Sequence, residues 1–412
     1  MVSRNRTNLN LLLNLQNSYF MYTQNTPVHV KLWHKEFWLM SVANMLMSAS
    51  IYMLIPMLPK WLYSIHVQPM DVGVLMGIPG IGIFFMGCFI AYLVQRFRRN
   101  IVCIRAIAIL IALILSMYYV YTHIEITASW IYALMFIRLL QGVAYGLANM
   151  VLCSTLIIDS SESFQRTEAN HSAAWFSRLS LSLGPIICFI VERHQQPQWV
   201  LLVSAILCAF SAILILMVKF PFRAPEDMSC KMSLDRFFLP QGKWLFINYA
   251  MITTVLGITL SMTHSMEYYV VMAIGFLLSL LAQRFLFANA ELKSEVITGL
   301  ILIAISLLLR LSDRVEALLY ISPILFGCGI GITSARFLLF FIKLSDHCQR
   351  GTSQSTYFLA SEFGLGCGLF LGCGRFYNNP SLLSSIALII TAVALIMYIA
   401  FTHQWYIRHK NR

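Results

Sequence analysis

The feature that most limits this chain is a series of apolar stretches, each long enough to cross a lipid bilayer. A helix needs about 20 mostly apolar residues to traverse the hydrocarbon layer. Twelve stretches qualify, at approximately residues 36–59, 71–94, 101–121, 129–155, 171–191, 198–219, 244–264, 268–287, 296–311, 316–343, 354–376 and 381–402. Composition agrees: 59% of the 412 residues are hydrophobic and 11% charged, against about 25% charged in soluble domains. The expected fold is therefore all-α and integral to the membrane, with twelve transmembrane helices.

Charge sets the topology. The formal net charge is +12, but the basic residues lie between apolar stretches, as loops on the cytoplasmic face do. Arg4, Arg6, Lys31 and Lys35 precede span 1, Arg96, Arg98 and Arg99 follow span 2, and Arg408, Lys410 and Arg412 close the chain. The long middle segment adds Lys219, Arg223, Lys231, Arg236 and Lys243, whereas the other face has only Lys60, Arg193, Arg310, Arg314 and Arg375. Both termini are expected in the cytoplasm of a multi-pass protein of the cell (inner) membrane. No basic face interleaved with stacking aromatics occurs, so nucleic acid is not an expected partner. Residues 1–35 are polar and their apolar patch "LNLLL" is too short for a cleavable signal, and the sequon at Asn5 carries little weight on a cytoplasmic segment.

The polar stretch "PFRAPEDMSCKMSLDRFFLPQGK", residues 221–243, separates a first half (36–220) from a second (244–403), with a short tail at 404–412. The halves resemble each other. "YLVQRF" at 92–97 matches "LLAQRF" at 280–285, Gly142 and Gly146 match Gly327 and Gly331, and "FQRTEANHS" matches "CQRGTSQST", at offsets of 188, 185 and 184. Two pseudo-symmetric six-helix halves point to a transporter with its site between them.

Four charges fall well inside these spans: Arg138, Arg178, Arg336 and Glu362. Such residues normally face a bundle interior or watery cavity. Arg336 and Glu362 lie roughly 10–12 Å deep at 1.5 Å per residue, on helices joined by a short loop. One reading pairs them, or lets Arg336 reach the surface along its own stem. The other makes Glu362 a proton carrier, since a carboxyl that alternates between wet and paired settings can bind and release a proton in each cycle. Arg138 and Arg178 then either bond to backbone, Gln141 and Asn149, or give the cavity a positive field for an anionic or acceptor-rich substrate.

Other signals are weaker. The glycines of "GIPGIGIFFMG", "GCGIG" and "GLGCGLFLGCG" favour close helix packing. Cys103, Cys153, Cys188, Cys208, Cys328, Cys367 and Cys373 lie in apolar runs, where a thiol acts as a small hydrophobe. No metal-ligand spacing, Ser/His/Asp set or paired-acid set occurs, so neither a metal, another cofactor nor enzyme activity is expected.

The chain after residue 31 resembles the major facilitator superfamily. Arg138-Leu-Leu-Gln141-Gly142, with Gly146 beyond, is similar to the span 4 pattern R-x-x-Q-G, whose arginine the family associates with proton coupling. Gly184-Pro185 resembles part of the antiporter motif. "NMLMSASIYMLIPMLPKWL", with Asn44, Pro56 and Pro59, and "RGTSQSTYFLASEFGLGCG", with Glu362, resemble the drug-efflux branch. The loop after span 2 departs from G-x-x-x-D-R-x-G-R-R: Ala91, Gln95 and Arg98 replace the first glycine, the aspartate and the second glycine, while Arg96 and Arg99 remain. The missing aspartate normally helps latch span 2 to span 11, so hydrogen bonds, or Glu362 with a surviving arginine, must substitute.

These readings together give a monomeric secondary transporter driven by the proton gradient and exporting amphipathic or drug-like small molecules. Uptake of an organic anion is the alternative, and a non-transporting receptor or scaffold a distant third. Glu362, Arg138 and Arg336 are the expected coupling or gating residues. Asn44, Tyr52, Gln141, Tyr145, Asn149, Trp175, Arg178, Tyr249 and Tyr357 are the expected cavity residues, because aromatics combine apolar area with a polar tip.

Overall fold

A computed structural model describes residues 32–124, 128–162, 164–220, 231–287, 290–311 and 318–411. The polar N-terminal segment through Lys31, with the Asn5 sequon, and the first ten linker residues lie outside the described residues. Twelve helices are long and apolar enough to cross a membrane. In the first half these are α1 (Lys35–Ser64), α2 (Pro69–Arg96), α3 (Arg99–His123), α4 (Ser129–Asp159), α5 (Arg166–His194) and α6 (Trp199–Leu216). In the second they are α7 (Pro240–Ser261), α8 (Met266–Leu286), α9 (Leu292–Leu311), α10 (Tyr320–Leu344), α11 (Arg350–Cys373) and α12 (Pro380–His409). Among the described residues there is no strand.

Most helices outrun the apolar stretches that announce them, because helical hydrogen bonding continues into the polar interface where hydropathy has already fallen. Two cases matter. α9 starts at Leu292, so Glu295 belongs to its first turns. α12 passes through a π-helical turn, Tyr398–Thr402, and runs to His409, into residues that hydropathy leaves as a tail. Local breaks follow from proline. α1 is interrupted at Met53, and Pro56 has no N–H to offer the Tyr52 carbonyl. α2 is irregular beyond Pro79, resuming as helix at Ile90.

The two halves repeat the same packing. α1 lies against α5 and α6, α2 against α4, and α3 against α4 and α6; α7 lies against α11 and α12, α8 against α10, and α9 against α10 and α12. The matched glycines explain part of this. A methyl group on Gly142 would collide with Pro79 of α2, and one on Gly327 with the Met272 carbonyl of α8. Gly146 and Gly331 repeat the contact one turn on, against Ile83 and Ser279. The small residues let the backbones of the second and fourth helix of each half touch.

Between halves, α2 packs on α11 and α5 on α8. Gly73, Gly77 and Gly80 of α2 meet Gly374, Phe370 and the Glu362 carbonyl, so the helix carrying Glu362 has a neighbour pressed to its backbone. On the face away from the linker, the Tyr63 hydroxyl donates to the Cys373 carbonyl at 2.5 Å, and its ring stacks on Tyr377 with centroids 3.8 Å apart.

Linker residues bridge the halves at the other face. Ser233 N–H donates to the Cys88 carbonyl of α2 at 2.9 Å. Arg236 donates from its backbone to Thr352 Oγ1 of α11 and from Nη1 to Thr155 Oγ1 of α4, both at 2.8 Å. Phe237 lies directly over Gly87, where any side chain would meet its ring. Arg236 holds a left-handed φ of 57° to reach both halves, a conformation that disfavours most side chains. Thr155 belongs to a π-helical turn in α4, Leu152–Leu156. Arg99, one of the surviving loop arginines, pairs with Asp159 at the end of α4, within its own half. At this end linker hydrogen bonds join the direct packing of Gly351 of α11 on the Ser154 carbonyl of α4.

Candidate functional site

Asn44 and Tyr52 of α1, Asn149 of α4, Arg178 of α5, and Tyr357 and Glu362 of α11 line one small space at the seam of the halves. Its volume is about 30 Å³, room for a water molecule but not for a substrate. A second, larger cavity of about 700 Å³ lies between the halves at the linker end, lined by Thr167, Glu168 and His171 of α5, Gln283 and Arg284 of α8 and Arg336 of α10.

Two charges dominate the small space, and the repeat relates them. α5 begins at Arg166 and α11 at Arg350, and Arg178 and Glu362 each stand twelve residues further on. Ser177 and Ser361, which both line the cavity, are equivalent in the same way. Each charge is bonded to a tyrosine of the opposite half. The Tyr52 hydroxyl makes a short hydrogen bond to Glu362 Oε1. Arg178 Nε donates to the Tyr357 hydroxyl at 3.3 Å. Tyr145 approaches Tyr52 at 3.5 Å and donates to Ser48 Oγ at 3.2 Å, and Ser48 meets Ser177 at 3.3 Å. A polar chain therefore runs from Glu362 through α1 and α4 to α5.

The surroundings treat the charges differently. Glu362 makes no ion pair among the described residues. Arg178 is 5% exposed, lies 5.1 Å from the Trp175 ring centroid, and leaves both Nη1 and Nη2 without a hydrogen-bond partner.

Several expected residues lie elsewhere. Arg138 and Gln141 are not on the cavity: Arg138 donates to the Leu75 carbonyl at 3.3 Å and to Gln141 Oε1 at 2.8 Å, and Gln141 Nε2 points to Leu113 and Met117 of α3. Their helical spacing places them on one face, but that face packs on α2 and α3. Tyr145, Tyr249 and Trp175 stand one layer back, Tyr249 donating to Tyr357 at 2.9 Å. Gly184, beside Pro185 in α5, touches the Ala49 carbonyl of α1. Gln95, Arg96 and Arg99 lie at the linker face, remote from the cavity.

The suggested pairing of Arg336 with Glu362 is corrected by the structure. Arg336 Nε bonds Glu295 Oε2 of α9 instead. Glu295 is 1% exposed, and hydropathy placed it just before the ninth span, as a residue outside the membrane. Removing the buried carboxylate leaves the partly buried Arg336 without its ion partner. Arg336 is itself 17% exposed, so Glu295→Gln is expected to lower stability by about 1–3 kcal/mol, read from thermal unfolding of the purified protein. The double change Glu295→Leu with Arg336→Met recovers most of the loss. An unchanged midpoint in Glu295→Gln makes the pair dispensable.

Residues not anticipated on the cavity are Cys153, Ala174, Ser177, Leu181, Gln354, Phe358 and Ser361. Extending the helical face through Arg178 and Glu362 by three or four residues finds Ala174, Leu181 and Phe358 but not Cys153, Ser177, Gln354 or Ser361.

Twelve apolar helices in two repeated halves, with opposed charges enclosed at their seam, define a multi-pass membrane transporter. The sequence profile of the Major Facilitator Superfamily matches residues 40–407, and the chain belongs to that family. It is a transporter and not an enzyme. Similar solved structures include a variant of the nucleoside transporter NupG, at TM-score 0.64 and 16% identity, covering 89% of this chain and 99% of that one. The human organic anion transporter MFSD10 (TETRAN) gives 0.63 at 10% identity over 88% and 99%. An auto inhibited POT family peptide transporter gives 0.65 at 12% over 92% and 98%. No curated protein sequence matches the chain.

Proposed function

We propose that the protein is a proton-coupled secondary transporter that exports amphipathic, drug-like small molecules by alternating access. The observation that carries the coupling is the bond from Tyr52 of the first half to Glu362 of the second, at the wall of the central cavity. An ionised carboxylate accepts from Tyr52, whereas a protonated one can itself donate. Gain or loss of a proton thereby changes a contact that must break when the halves separate. Aromatic walls, Tyr357 and Phe358, support an amphipathic cargo. The similar solved structures are of nucleoside, organic anion and peptide transporters, so the fold accommodates many cargoes.

The protein acts as a monomer in the cell's inner membrane with both termini in the cytoplasm, a placement supported by the basic linker and tail. The proton gradient supplies the energy, with no bound cofactor. The test is proton movement in liposomes containing the purified protein and a trapped pH-sensitive dye. Adding a transported molecule outside, with no imposed gradient, should change internal pH. Transport of the molecule without any pH change removes the coupling from this reading. Export predicts that substrate leaves inside-out vesicles' exterior for their lumen when the lumen is acid; movement the other way makes uptake the direction.

A further inference from the structure

We infer that the transported molecule carries an anionic group that docks end-on against Nη1 and Nη2 of Arg178, with its apolar part among the aromatic side chains of the cavity. This names the chemistry of the cargo and rests on the transport reading above.

Three observations lead there. First, Arg178 is buried and lines the cavity, and its two terminal nitrogens have no hydrogen-bond partner among the described residues. A buried guanidinium left with most of its donors unused is costly, and such groups persist where function uses them. Second, the one nitrogen that is bonded is Nε, to Tyr357. That contact fixes the rotation of the guanidinium plane while leaving its far edge open. The far edge offers parallel N–H donors at a spacing that matches the two oxygens of a carboxylate, sulfonate or phosphate. Third, Arg138 shows what a purely structural arginine looks like in the same bundle. Its Nε and Nη1 reach a backbone carbonyl and Gln141, and it faces no cavity.

The neighbouring groups suit an anion with an aromatic or apolar body. Trp175 covers one face of the guanidinium at 5.1 Å from its ring centroid, and Phe358 adds apolar wall. Glu362 stands at the equivalent register of α11 and opposes an anion whenever it is ionised. Cargo charge and proton occupancy are thereby linked through one cavity.

The experiment uses the full chain, purified, with three probes of one shape: 2-naphthoate, 2-naphthamide and 2-naphthylmethylammonium. Binding is read by calorimetry at one pH. The expected order has 2-naphthoate at least about 10-fold tighter than the amide, since a charge-assisted fork is lost in the amide, with the ammonium weakest. Arg178→Gln should abolish the preference for the carboxylate, and Arg178→Lys, a cation without the fork, should retain part of it. The thermal midpoint of ligand-free Arg178→Gln should be unchanged or higher, where a structural arginine would give a fall. Equal binding of carboxylate and amide, tighter binding of the ammonium, or no binding of any probe at millimolar concentration overturns the anionic pole. So does a full carboxylate preference in Arg178→Gln or, should that variant not fold, in Arg178→Lys. Proton movement in the liposome test is a separate readout, so the anionic pole can fail while coupled transport stands.

Discussion

Glu362→Gln is expected to reduce pH-gradient-driven transport to the leak rate of protein-free liposomes while sparing exchange of labelled for unlabelled substrate. Glutamine is nearly the same size as glutamate and its carbonyl can still accept from Tyr52. What it cannot do is bind and release a proton. Exchange needs only that the loaded carrier reorient in both directions, so it survives the loss of coupling. Uphill transport at the wild-type level in the variant would remove Glu362 from the coupling step. Tyr52→Phe separates the bond from the titration, because it keeps the carboxyl and removes the donor across the seam. It should transport with an altered pH profile where Glu362→Gln has none.

A second large effect is expected from Ser154→Cys combined with Gly351→Cys. A Cβ built on Gly351 of α11 lies 3.6 Å from Ser154 Cβ of α4, and disulfides span Cβ separations of about 3.5–4.5 Å. The same Cβ would press on the Ser154 carbonyl at 2.5 Å, so the two helices must ease apart slightly to admit it. Oxidation should then tie the halves together beside the linker and stop transport completely, with recovery on adding reductant. Each single variant is the control, because Cys153 adjoins Ser154 and the exposed Cys348 lies three residues from Gly351. Full transport by the oxidised double variant, with the bond shown by mass spectrometry, would mean that this seam stays shut throughout the cycle.

The architecture was readable because a bilayer leaves so few solutions. Twelve apolar stretches, a polar break near the middle and three pairs of matched segments predict two six-helix halves, and the structure contains them. Asn44, Tyr52, Asn149, Arg178, Tyr357 and Glu362 are polar or aromatic residues at helix interiors, and all line one cavity. The misses have physical causes. Arg138 and Gln141 share a helical face, but periodicity says which residues share a face and not which neighbour that face meets. Glu295 escaped because hydropathy ends a span where polarity begins, while the helix itself continues. The linker's part in bridging the halves was illegible, since it rests on the turn at Arg236 and on an aromatic ring filling space above a glycine.

The matched positions of Arg178 and Glu362 bear on how the carrier responds to voltage. Charges at one depth and of opposite sign sum to zero, so with Glu362 ionised the unloaded cavity can swing from one side to the other without moving net charge through the field. A proton on Glu362 leaves the pair with one positive charge, worth about 2.3 kcal/mol for each 100 mV it fully crosses. An anionic cargo on Arg178 cancels that charge again. Membrane potential would then act on the half-loaded carrier, and the duplicated helices would have set that asymmetry by placing an arginine in one copy and a glutamate in the other.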